Sequence, residues 1–226
     1  MLPFRNNSLA RLIIAVLFIE SIAILLYFGF CFYKILFFNR LLNGTIVLPG
    51  EKRLIADINS LALKIIPLLF VCFLILFSFW LYRVYRNIEI TSRFHSSYTP
   101  LAAAFSLIIP VTNLFLPHII MTEIWTANSK NENEKYFGKN VINNWRFLFA
   151  LVMLYALFCI FTFYRPVSMN DLIKGIYYKI FLHILCIHFS FQTIKIVEII
   201  NELEKKKLYL PVINRKQLVS KKANSV

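Results

Sequence analysis

Glycine is scarce, with 5 in 226 residues. No two of the five fall four apart, so no Gly-x-x-x-Gly seam exists and helix packing must rest on Ala, Ser and shape. There is no Walker loop, no Gly-rich nucleotide turn, no His-Glu-x-x-His and no nucleophile elbow. Charge is thin too, at 16%, against about 25% in an ordinary soluble domain. Acids are the rarest part of it, 11 against 25 Lys and Arg, for a net charge of +14. These shortages exclude a disordered chain, a coiled coil and a conventional cytosolic enzyme. What is abundant is oil: 59% hydrophobic residues, 16% aromatic ones and a mean hydropathy of +0.66. A chain both oily and basic reads as an integral membrane protein with basic ends and loops.

Four windows are long enough for the roughly 20 residues a bilayer demands. They cover about 12–33, 62–85, 146–165 and 175–200. The first is interrupted only by Glu20 and Ser21. It outlasts the roughly 7–15-residue core of a signal peptide and runs into bulky residues, so it is expected to stay as an anchor. Asn43-Gly44 lies between apolar residues and reads as a hairpin turn, followed by a Pro49-Gly50 turn. From Glu51 a helix is expected to enter the second span, kinked near Pro67. The four cysteines, Cys31, Cys72, Cys159 and Cys186, occupy four different windows and read as small buried apolar residues. Residues 201–226 form a basic tail, with Lys205–Lys207, Arg215-Lys216 and Lys221-Lys222. The segments between spans are too short for a soluble catalytic core, so a single membrane domain, 1–226, is expected.

A fifth apolar stretch, within 99–129, is broken. Leu101 to Pro110 gives only about 15 Å of helix, half a bilayer core. Pro110 removes a donor and disfavours helix before it. Asn113 is a helix-starting type, and Pro117 suits the first turn of a second helix. The pattern is helix, break, helix. The segment either re-enters as a hairpin, giving four spans, or crosses kinked, giving five. Either way 17 of the 25 basic residues fall inside, so the positive-inside rule is blind to the choice. Arg83, Arg86 and Arg93, directly after a clean span, favour the hairpin and four full transmembrane helices. Both arrangements put the C-terminus in the cytoplasm. The fold class expected is an all-α polytopic bundle.

Trp80, Arg83 and Asn87 stand at i, i+3 and i+7, on one helix face. Farther on come Pro110, Asn113 and Pro117, then Glu123 and Trp125, and Trp145 opens the next span. Together these resemble an uncharacterised bacterial membrane family, domain of unknown function 4328, over roughly residues 55 to 205. The chain departs from that pattern at Ser106–Ile109 and at His118. The resemblance implies an architecture in a bacterial inner membrane and no reaction.

Several polar residues lie at membrane depth, where an ionisable group is a functional candidate by default. Glu20 is expected to be protonated or paired with Arg83, His183 or Lys195. His188, Gln192 and Lys195 share a face of the last span, and His183 lies about 140° around the helix from His188. His118 completes the set. No catalytic residue, metal or cofactor is expected. The expected partners are the bilayer, anionic headgroups at the basic tail, and a second copy or another membrane protein; nucleic acid is not one of them. Two functions remain open: a non-enzymatic scaffold, assembly or lipid-interacting component, or a small transporter or channel that uses the broken segment and the polar residues.

Overall fold

The computed structural model of the chain describes residues 6–46, 48–91, 96–107, 115–129, 132–161 and 168–223. Among these the fold is all-helical, with no strand. The helices are α1 (Asn7–Leu42), α2 (Pro49–Thr91), α3 (Pro100–Phe105), α4 (Leu116–Asn128), α5 (Glu132–Phe161) and α6 (Met169–Ala223). Of these, α1, α2 and α6 are long and apolar enough to cross a membrane.

Local chemistry sets the helix ends. Gly44, at φ +72°, closes α1. Its N–H donates to Leu41 O (3.1 Å), and Thr45 N–H donates to Arg40 O (3.0 Å). That pair of bonds is the Schellman stop. Asn43-Gly44 is therefore a helix terminus between two helices, and the hairpin expectation is corrected. Both motifs need a residue at positive φ, and only the partner segment tells them apart. No atom lies within 4 Å of a Cβ built on Gly44, so Gly44→Ala meets only backbone strain. It is expected to cost about 1 kcal/mol, read as a lower unfolding midpoint in micelles.

Pro49 opens α2, with Glu51 in its first turn. The Glu51 carboxylate accepts from Arg40 at 3.2 Å. Pro67 sits inside α2 without ending it. At α3, Thr99 Oγ1 accepts the N–H of Ala102 at 3.2 Å. Ser168 and Asp171 form a reciprocal capping box ahead of α6, through two 3.2 Å bonds. The basic stretch from 201 to 223 is a helical continuation of α6.

The chain divides into two compact units. Unit 1 takes in Met1–Ile13, Ile75–Asn144 and Ile194–Val226; unit 2 takes in Ile14–Leu74 and Trp145–Thr193. In unit 2, Leu17, Glu20, Ile24, Tyr27, Cys31 and Lys34 of α1 are all buried. Their alternating spacing of three and four residues draws a single seam along the helix. Tyr27, Cys31 and Ile35 pack on Ile176 of α6. A second cluster stacks Trp145 on Phe149, with ring centroids 5.3 Å apart, beside Phe189. The Trp145 indole donates to Thr193 Oγ1 at 2.9 Å, so the tryptophan that opens the third window is held by both ring stacking and a hydrogen bond. Facing outward are bulky apolar residues such as Leu26, Leu36, Leu63 and Phe181, far more than an aqueous surface accepts in one region.

In unit 1, Trp80 is fully buried and stacks on Phe77 at 5.2 Å. Ile120, Met121, Ile124 and Trp125 are among the buried residues of α4, and Ile196, Val197 and Ile200 among those of α6. Helices α3 and α4 touch. Pro110 and Asn113 lie outside the described residues; Pro117 is buried in the first turn of α4, where its missing N–H costs nothing.

Candidate functional site

Two motif residues of unit 1, Arg83 and Asn87, lie beside a carboxylate that is remote in sequence. Asn87 ends up on the buried side of α2, and its amide donates to Glu204 Oε1 at 3.0 Å. Asn6, just before α1, donates to Glu204 Oε2 at 2.9 Å. All three side chains are buried. Arg83, one turn before Asn87, and Lys207, one turn after Glu204, add positive charge beside the carboxylate. Lys207 also donates to Ala127 O, at the end of α4, at 3.0 Å. Asn201 reaches Asn7 at 3.3 Å. Glu204 is thus a buried carboxyl with one amide on each oxygen, its pKa pushed up to about 6 by burial, and it ties the N-terminal segment, α2 and α6 together.

A second knot holds α4. Tyr85 donates its hydroxyl to the Glu123 carboxylate and accepts the N–H of Tyr98 at 3.2 Å. Trp125 donates its indole N–H to Glu134 O at 2.9 Å. Gly138 of α5 lies directly against that indole: a Cβ there would fall 1.8 Å from Trp125 Nε1. The arrangement binds helix ends to one another through neutral amides, a phenol, an indole and carboxylates.

Unit 2 contains a cavity of about 340 Å³. Glu20, Lys179, His183 and Cys186 contribute its polar groups, and Ile24, Leu63, Ile66 and Phe70 are among its apolar walls. Glu20 and His183 are both buried. They share this cavity. Arg83 lies beside Glu204 in unit 1. On α6, His188 and Lys195 are exposed and Gln192 is partly buried. The buried stripe of α6 runs instead through Phe189, Thr193, Ile196, Val197 and Ile200. His118 is partly buried in the first turn of α4, and its carbonyl accepts from Thr122 at 2.8 Å. Among the described residues no three His, Cys, Asp or Glu side chains come together as a metal site.

Sequence reasoning singled out Asn87 but missed its acceptor. Glu204 was one of several tail charges. The signal that finds it is the buried stripe of α6, which continues through Ile200 to Glu204, four residues on. Asn6 and Gly138 carry no such local signal.

Residues 54–202 match the model of a protein family described as domain of unknown function (DUF4328). The match takes in Trp80, Arg83, Asn87, Pro117, Glu123, Trp125 and Trp145, and ends two residues before Glu204. No curated protein and no solved structure matches the chain.

Proposed function

We propose that this chain, which belongs to the DUF4328 family, is a non-enzymatic membrane scaffold, assembly or lipid-interacting component. The observation that carries the reading is the use made of the motif. Trp80 is spent on packing, Asn87 and Glu123 on bonds between helices, and Trp125 on a bond across the α4–α5 turn. Residues spent this way define a shape, and a shape is what a scaffold offers.

The reading includes four spans, in α1, α2, α5 and α6, with a re-entrant segment at 99–129. The lengths support it. The 6 residues of α3 rise about 9 Å and the 13 of α4 about 20 Å, and each falls short of a core about 30 Å thick. The protein sits in a bacterial cytoplasmic membrane with its basic tail on anionic headgroups of the cytoplasmic face. A single cysteine at exposed Asn43, in a cysteine-free background, is expected to react with an impermeant maleimide in whole cells. Labelling only after lysis contradicts four spans with a cytoplasmic N-terminus.

The cavity of unit 2 favours a second reading, a small transporter working through Glu20 and His183. Proteoliposomes separate the two. A scaffold leaves proton and cation flux at the level of empty vesicles and co-purifies with a stable partner in mild detergent. Flux above that level, abolished by Glu20→Gln, selects the transporter.

A further inference from the structure

A second cavity in unit 2, of about 510 Å³, opens between the end of α1, the start of α2 and the start of α6. Lys34, Lys52 and Lys179 line it, and among the described residues no acidic side chain does. The nearby acids are committed elsewhere. Glu51 pairs with Arg40 at 3.2 Å, and Asp57 with Arg53 at 3.9 Å. Asp171 serves the cap at Ser168. Lys34 is buried, at 6% exposure. Its ammonium donates to Asn59 Oδ1 at 3.1 Å and lies 5.9 Å and 6.0 Å from the ring centroids of Tyr27 and Phe30. The same Asn59 oxygen accepts from the Tyr27 hydroxyl at 2.6 Å. An amide oxygen and two ring faces orient this cation without neutralising it. Burying an unpaired charge is costly, and two further lysines at the same cavity raise the demand for an anion.

The rest of the wall is apolar, with Phe37, Leu41 and Ile55 among its residues. Lys179 also lines the Glu20 cavity, whose walls are mostly apolar. Both cavities draw on α1, α2 and α6. Cations at one end and oil along the other match a molecule with an anionic head and a hydrocarbon tail.

We propose that the Lys34–Lys52–Lys179 cavity is a binding site for an anionic membrane phospholipid, one whose phosphate-bearing headgroup has a net negative charge. The phosphate takes the three ammonium groups, and an acyl chain follows the apolar wall past Lys179. This site is separate from the basic tail. It rests on the reading of the chain as embedded in a bilayer, and not on the scaffold role, which partner co-purification decides independently.

Native mass spectrometry of the full chain in detergent tests it, with phosphatidylglycerol and phosphatidylcholine titrated separately. The wild type is expected to retain one phosphatidylglycerol in preference to phosphatidylcholine. Lys52→Gln and Lys179→Gln are each expected to weaken that retention about fivefold, with the unfolding midpoint unchanged in lipid-free micelles. The tail variant K216Q/K221Q/K222Q is expected to retain the lipid as the wild type does. Buried Lys34 is left intact, so that loss of fold does not mimic loss of lipid. Equal retention by K52Q/K179Q and wild type overturns the proposal, as does equal retention of the two lipids. Protection from unfolding by inorganic phosphate alone, as strong as that by the lipid, also overturns it.

Discussion

Gly138→Ala is expected to destabilise the protein by about 3 kcal/mol. Elsewhere in a helix the same change stabilises by about 1 kcal/mol, because alanine loses less backbone freedom. Here the added Cβ falls 1.8, 2.1 and 2.2 Å from three atoms of the Trp125 indole. The ring has little room to yield. Its N–H is bonded to Glu134 O at 2.9 Å, and it is 3% exposed. Overpacking of this kind costs about 1–3 kcal/mol, and a lost buried hydrogen bond adds about 1 kcal/mol. Titration with a denaturing detergent measures the change. In a Trp125→Ala background the clash is gone, and Gly138→Ala should then be neutral or stabilising. A Gly138→Ala protein more stable than wild type would mean that the indole does not lie on residue 138.

Glu204→Ala carries the other large expectation, also a loss of about 3 kcal/mol. The cause is unmade bonds rather than steric conflict. The substitution removes the acceptor of two buried amides, Asn6 at 4% and Asn87 at 2% exposure. A buried donor left without a partner costs about 1–3 kcal/mol. Glu204→Gln retains one acceptor oxygen and turns an NH₂ toward the other amide, so about half the loss is expected. Glu202, two residues earlier and exposed, is the control, and its replacement by alanine should change stability by less than about 0.5 kcal/mol. A Glu204→Ala variant that unfolds like wild type would take away the tie between α2 and α6.

The sequence made the long elements legible because their signal is local and repeated. Apolar windows marked the helices now seen at Asn7–Leu42, Pro49–Thr91 and Met169–Ala223. Pro117 marked a helix start for a purely local reason, its missing N–H. Side-chain orientation was harder to read. The polar positions His188, Gln192 and Lys195 drew attention because they are rare at that depth, yet the buried side of α6 is set by Phe189, Thr193, Ile196 and Ile200. Weighing the apolar stripe over the polar one would have placed the helix correctly and carried the stripe on to Glu204. Contacts between distant segments left no trace. Asn6 and Glu204 lie 198 positions apart, and nothing near either residue names the other. Lys34, Lys52 and Lys179 each resemble an ordinary charge near a span end, and only the folded chain gathers them at one cavity.

The central claim is that the family motif holds helices to one another, with the Asn87–Glu204 bond as its link between α2 and α6. A double-mutant cycle between Asn87→Ala and Glu204→Ala, followed by unfolding in micelles, tests it most directly. The claim predicts single losses that do not add, with a coupling of about 1–3 kcal/mol, as contacting residues show. Additive losses within about 0.3–0.5 kcal/mol, the behaviour of independent sites, would contradict it.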